Sequence, residues 1–113
     1  MSRSASSPER KGGKGSETKD PGREAAAMLR HRGQHVVVDT DSDYLYIGKL
    51  LSVSGPFITL GEADVHDRRE SSSMQERYVL ESKKYGIRSN RREVHLRFQR
   101  IVSYSLLDDV IEY

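Results

Sequence analysis

Residues 33–50 read GQHVVVDTDSDYLYIGKL, and this stretch decides the fold. Val36, Val37 and Val38 form a β-branched run, which fits a pleated, half-buried surface better than a helix, so residues 34–40 are expected as a strand. Asp41-Ser42-Asp43 follows as a turn, because short polar side chains bond back onto their own backbone. Residues 44–53 alternate, with Leu45, Ile47 and Leu51 set against Tyr46, Gly48 and Leu50, and predict a second strand. Gly48 inside that strand marks a sharp bend or bulge. Ser54-Gly55-Pro56 is a tight turn, and residues 57–60 are the returning strand.

Working outward, the Ala-rich stretch at residues 23–31 predicts a short helix. Its Ala25, Met28 and Leu29 share one face, Pro21-Gly22 precedes it and Gly33 ends it. A helix this short is marginal alone and must dock on something. Residues 62–71 are polar and read as a loop with a turn or two of helix. Ser73 with Glu76 has the spacing of a capping box, and Gly86 before Ile87 resembles a helix stop, so residues 73–85 favour a helix. A short strand over residues 77–81 is the alternative. Strands return at residues 93–98, with Val94, Leu96 and Phe98 on one face, and at 101–106, separated by a break at Gln99-Arg100. A last turn or an extension of the edge is expected over residues 108–113. Five short strands cannot leave two long edges open without an aggregation liability, and a small curled barrel is the economical solution. The fold class is therefore mainly β, a small five-stranded strongly bent barrel with a short N-terminal helix and an inserted helix.

Composition limits the rest. Of 113 residues only 35% are hydrophobic, too few for every segment to join a core. Residues 1–22, rich in Ser, Gly, Lys and Glu, are the expected disordered basic tail, leaving 23–113 as the barrel domain. The absence of Cys excludes disulfides, thiolate metal ligands and a cysteine nucleophile. No apolar run approaches the roughly 20 residues of a membrane span, and the first residues lack the apolar middle of a secretory signal, so a cytoplasmic protein with no membrane partner is expected.

The formal charge of +2 is unevenly spread. Residues 1–32 carry eight basic against four acidic residues, a net +4, so the remainder nets −2. Within that remainder Arg77, Lys83, Lys84, Arg88, Arg91, Arg92, Arg97 and Arg100 face only Glu81 and Glu93. Such a block attracts phosphate by releasing counterions, or serves as an ordinary solvated face. His66 beside Asp64 and Asp67 supplies at most two metal ligands, and Asp39, Asp41 and Asp43 lack the Gly and Glu that a calcium loop needs, so no metal is expected. No phosphate-cradling glycine loop and no nucleophile motif is present, and neither a cofactor nor an enzymatic activity is expected.

Residues 23–60 resemble the Sm-like (Lsm) family of small barrels, which are SH3-like in architecture. In that family's first motif a Gly is followed at set offsets by aliphatic, turn, aromatic, Gly and Leu positions. Here these are Gly33, Val36, Val38, Thr40, Asp43, Tyr46, Gly48 and Leu50, with Thr40 in place of an aliphatic and Asp43 in place of a turn Gly. The second motif is similar to Leu96-Arg97-Phe98-Gln99-Arg100-Ile101, with Phe98 where Gly is usual, and the connection over residues 61–92 is long. The resemblance implies binding of RNA or single-stranded nucleic acid with low sequence specificity. It also implies a homo-oligomer joined through strands 94–98 and 101–106. It places Ser54 and Ile58 at the family's base-recognising Asp and Asn positions, so the shape is expected without the usual hydrogen-bonding site. Phe57 keeps the stacking character. The expected nucleic-acid-binding residues are Phe57, Lys83, Lys84, Tyr85, Arg88, Arg91, Arg92, Arg97 and Arg100. The alternative is a protein-interaction barrel with no nucleic-acid binding.

Overall fold

Among the described residues, five strands and two α-helices follow the order that the sequence pattern lays out. The structure, a computed structural model, describes residues 21–69 and 72–112. The basic tail expected over residues 1–22 lies almost wholly outside them, as does the Ser73 side chain of the expected capping box. Helix α1 spans Pro21–Leu29; strands β1, His35–Thr40, β2, Tyr44–Ser54, and β3, Phe57–Asp67, follow. Helix α2, Ser72–Tyr85, precedes β4, Arg91–Arg97, and β5, Ile101–Leu106. All pairings are antiparallel, in the order β4-β3-β2-β1-β5, so β4 and β5 are the two edges. Among the described residues no helix is long and apolar enough to cross a membrane.

The inner core is built from one face of each strand. Val36 and Val38 of β1, Leu50 of β2, Ile58, Leu60 and Ala63 of β3 and Leu96 of β4 are buried together, with Met28 of α1 closing the stack. The bend that lets a sheet enclose them is set by missing side chains. A Cβ on Gly48 would meet the Ala63 Cβ and the Gly61 carbonyl oxygen at 3.1 Å each, so a side chain there would push β2 and β3 apart by a few tenths of an ångström. Glu62 adopts a left-handed φ of 44°, the mark of a bulge that re-aims β3.

That bulge explains the main departure from the sequence reading. Of the loop expected over residues 62–71, residues 62–67 are strand instead, because β3 runs on through Asp67; Arg68 and Arg69 form a turn, and 70–71 lie outside the described residues. The extra residue at Glu62 breaks the alternation, and Asp64 and His66 beyond it pack against Tyr78 of α2. The hydroxyl of Tyr78 donates to Asp64 Oδ2 at 2.7 Å, and the Tyr78 ring stacks on His66 with centroids 3.8 Å apart. Residues 73–85 are helix, not strand, and α2 ends where expected, at Gly86 with φ 100°.

A second buried layer lies on the outside of the barrel. Register sets Val37 opposite Ile47 and Asp39 opposite Leu45, on the face away from the inner core. Leu45 and Ile47 are nevertheless buried, together with Leu107 from the 3-10 turn Leu107–Asp109. Val79 and Leu80 of α2, with Val110 and Ile111, line a groove of about 550 Å³ over the same face. β2 is thus apolar on both faces because both are covered. The Lys83 amine donates to the carbonyl of Asp108 at 2.9 Å and to that of Val110, and Lys84 pairs with Glu112 at 2.8 Å, strapping the C-terminal segment to α2.

Candidate nucleic-acid interface

Three turns meet at one rim of the barrel, and backbone bonds hold them there. The 3-10 turn Phe98–Arg100 joins β4 to β5. Its Phe98 N–H donates to the Pro56 carbonyl at 2.7 Å, and its Arg100 carbonyl accepts from the Asp41 N–H at 3.0 Å. The β2–β3 turn and the β1–β2 turn are thereby tied to the β4–β5 connection. This juxtaposition comes from topology: β4 ends beside Phe57 while β5 starts beside Thr40.

Phe57 and Arg97 are directly opposite in the β3–β4 ladder, with the guanidinium 5.3 Å from the ring centroid. Phe57 is 40% exposed, so the ring and the cation present a joint surface. Behind them Thr59 and His95 are bonded at 2.9 Å across the same two strands. Arg100 reaches back to Asp41, its Nε 2.8 Å from both carboxylate oxygens. Its charge is therefore compensated, whereas Arg97 has no ion-pair partner among the described residues. A cavity of about 240 Å³ opens between these turns, lined by Thr40, Ser42, Tyr46, His95, Arg97 and Arg100.

The remaining expected site residues lie elsewhere. Lys83 and Lys84 serve the C-terminal strap, and the bond with Glu112 raises the Lys84 pKa. Tyr85 is 81% exposed at the end of α2, and Arg88 shares a cavity with it, Asp64 and Glu81. Arg91 and Arg92 are exposed at the start of β4. Six residues of extended chain separate Arg91 from Arg97, about 20 Å at the strand rise. The basic block is therefore two surfaces, with only Phe57, Arg97 and Arg100 gathered at the rim. Sequence reading missed the partners Asp41 and Thr40; the turn at Asp41-Ser42-Asp43 was the available signal, but its meeting with Arg100 is a matter of topology.

No family model matches the chain, and no curated protein does. Among solved structures, an Sm protein of Pyrococcus abyssii in complex with a uridine heptamer superposes with a TM-score of 0.50 at 12% identity, covering 78% of this chain and 99% of that one. This is the Sm-like fold. An Sm-like protein of Methanococcus vannielii aligns with a TM-score of 0.48 at 16% identity over 78% of this chain and all of its own. One of Archaeoglobus fulgidus aligns with a TM-score of 0.48 at 18% identity, over 78% of this chain and 95% of its own.

In this Sm-like barrel the two substituted positions have distinct fates. Ser54 is exposed on the β2–β3 turn, but Ile58 is fully buried in the inner core opposite Leu96. A side chain at position 58 therefore faces the barrel interior. The rim offers an aromatic face and a cation, and position 58 offers no amide to read a base edge.

Proposed function

We propose that this chain is a non-enzymatic Sm-like protein that binds RNA or single-stranded nucleic acid with little sequence discrimination, as an oligomer. The Phe57–Arg97 pair at the rim is the observation that carries this reading. A base stacks on Phe57 while Arg97 meets its phosphate, and every base has a π face, so stacking of this kind is sequence-tolerant. The uridine heptamer held by the Pyrococcus protein of the same fold supports this choice of ligand. Arg100, fixed by Asp41, adds position more than charge.

Oligomerisation is supported by the two unpaired edges. Val102 and Tyr104 of β5 stand on the barrel side yet are 68% and 36% exposed, because β4 and β5 of one copy do not close on each other. A second copy's β4, with Val94 and Leu96 on the matching face, covers them.

The test is fluorescence anisotropy of the full chain with labelled poly-U and poly-A at two salt concentrations, beside Phe57→Ala and Arg97→Ala. Salt-sensitive binding to both RNAs that either substitution weakens supports the proposal; binding untouched by both removes the rim from it. The protein-interaction reading is favoured by one observation, the burial of Ile58 where an amide would be needed. Absence of RNA binding at low salt makes it the leading account.

A further inference from the structure

We infer that the basic start of β4 and the acidic segment after β5 are a charge lock between copies of this chain, in which Arg91 and Arg92 of one copy meet Asp108 and Asp109 of the next. The inference rests on the oligomer proposed above and goes beyond it by assigning part of the basic block to self-assembly instead of RNA.

Geometry makes the match. β4 and β5 are the two edges of the sheet. Antiparallel pairing of β5 with a second copy's β4 that keeps apolar residues on the barrel side sets Val102 opposite Leu96 and Tyr104 opposite Val94 of the second copy. The last β5 residue, Leu106, then lies beside Arg92 of the second copy, and the turn Leu107–Asp109 beside its Arg91. A register shifted by two residues, the smallest that preserves the faces, moves Arg92 of the second copy opposite Asp108. Both registers bring the same two pairs of charges together.

The charges are held ready for this. Asp108 and Asp109 are exposed, and neither carboxylate has an ion-pair partner among the described residues. Buried Leu107 anchors their turn, and Lys83 holds it through main-chain carbonyls, leaving the carboxylates unused. Among the described residues Arg91 and Arg92 are likewise exposed and unpaired with any acid, and Arg91 bonds the Asn90 carbonyl at 2.9 Å. The Asn90 amide fixes that point by clasping both backbone groups of Val65, at 3.0 and 3.2 Å. Opposite charges on the two ends of one head-to-tail junction favour this orientation and oppose like-edge pairing of β4 with β4 or β5 with β5.

The experiment compares full-length wild type with two charge reversals, Arg91→Asp with Arg92→Asp and Asp108→Arg with Asp109→Arg, and with the fourfold variant, by size-exclusion chromatography with light scattering. Salt is held near about 0.1 M, where exposed charges still interact over roughly 10 Å. Each reversal is expected to weaken self-association by about tenfold or more, while an equimolar mixture of the two and the fourfold variant re-associate. Circular dichroism confirms that these exposed substitutions leave the barrel folded. Reversals that assemble like wild type overturn the lock, as does failure of both the mixture and the fourfold variant to re-associate. A monomeric wild type overturns the oligomer itself and the lock with it, an outcome distinct from the other two.

Discussion

Replacing Tyr78 with Phe removes one oxygen and tests whether the inserted helix is part of the folded barrel. The Tyr78 hydroxyl donates to Asp64 Oδ2 at 2.7 Å, and Asp64 is only 8% exposed. Without that donor a buried carboxylate loses a bond, and hydrogen bonds to charged groups contribute about 1.5–3 kcal/mol. The stacking on His66 survives in Phe, so the loss is confined to the bond. For a domain of this size about 2 kcal/mol corresponds to a fall of roughly 8–16 °C in Tm. The same bond has a pH signature. Burial first, and the bond to Asp64 second, push the Tyr78 phenol above its usual 10.0. The unfolded chain releases that proton near 10 while the folded chain holds it, so the contribution is complete below pH 10 and is lost as pH rises toward the folded value. Urea melts at fixed protein concentration, at pH 7 and above pH 10, give both readings. The expected result is a wild type whose stability falls above pH 10 more steeply than that of the Phe variant. A Tyr78→Phe protein as stable as wild type at pH 7 would refute the claim that this bond docks α2.

Three further outcomes follow from single residues. Phe57→Ala should weaken RNA binding by about 5- to 150-fold, the range for one stacked base, with little change in Tm since Phe57 is 40% exposed; anisotropy and a thermal melt read the two. Ile58→Asn, which restores the family's base-reading residue type, should destabilise by about 3 kcal/mol or more without raising affinity for poly-U, because the position is fully buried and the amide would have no partner; denaturant melts and the same titration check both halves. Gly86→Ala should cost about 1 kcal/mol, since φ 100° suits only glycine and nothing lies within 4 Å to clash with a methyl group, so the whole effect is backbone strain. An unchanged unfolding midpoint would contradict that account.

Much of the barrel was legible because its signals are local. The β-branched run at 36–38, the Asp-Ser-Asp turn, the Gly-Pro turn and the bend at Gly48 each act within a few residues, and all four sit where expected. The second half of β3 was not legible, because its Asp64 is bonded by, and its His66 stacked on, Tyr78, a partner fourteen residues from Asp64 in sequence. The alternation in β2 showed two faces but not that both are buried, since the cover on the outer one comes from α2 and the C-terminal segment. For the site, residue type pointed to Phe57 and Arg97 separately; only strand register pairs them. For the lysines the charge is visible in sequence, whereas the pairing of Lys84 with Glu112 and the bonds of Lys83 to two C-terminal carbonyls are not.

β4 connects the two halves of this proposed function. Its far end carries Arg97 to the rim beside Phe57, and its near end carries Arg91 and Arg92 to the sheet edge. The two ends are about 20 Å apart, beyond a Debye length at physiological salt, so they act on different partners independently. An oligomer then multiplies a weak rim site: each copy supplies one Phe57–Arg97 pair, and a single strand that touches several copies gains effective concentration with every contact. Low discrimination per site is compatible with firm binding of long RNA on this arrangement. Affinity should accordingly rise steeply with oligonucleotide length in the assembled protein and only slightly in a charge-reversed monomer. A length dependence that is the same for both would mean that the rim acts alone and that assembly serves another end.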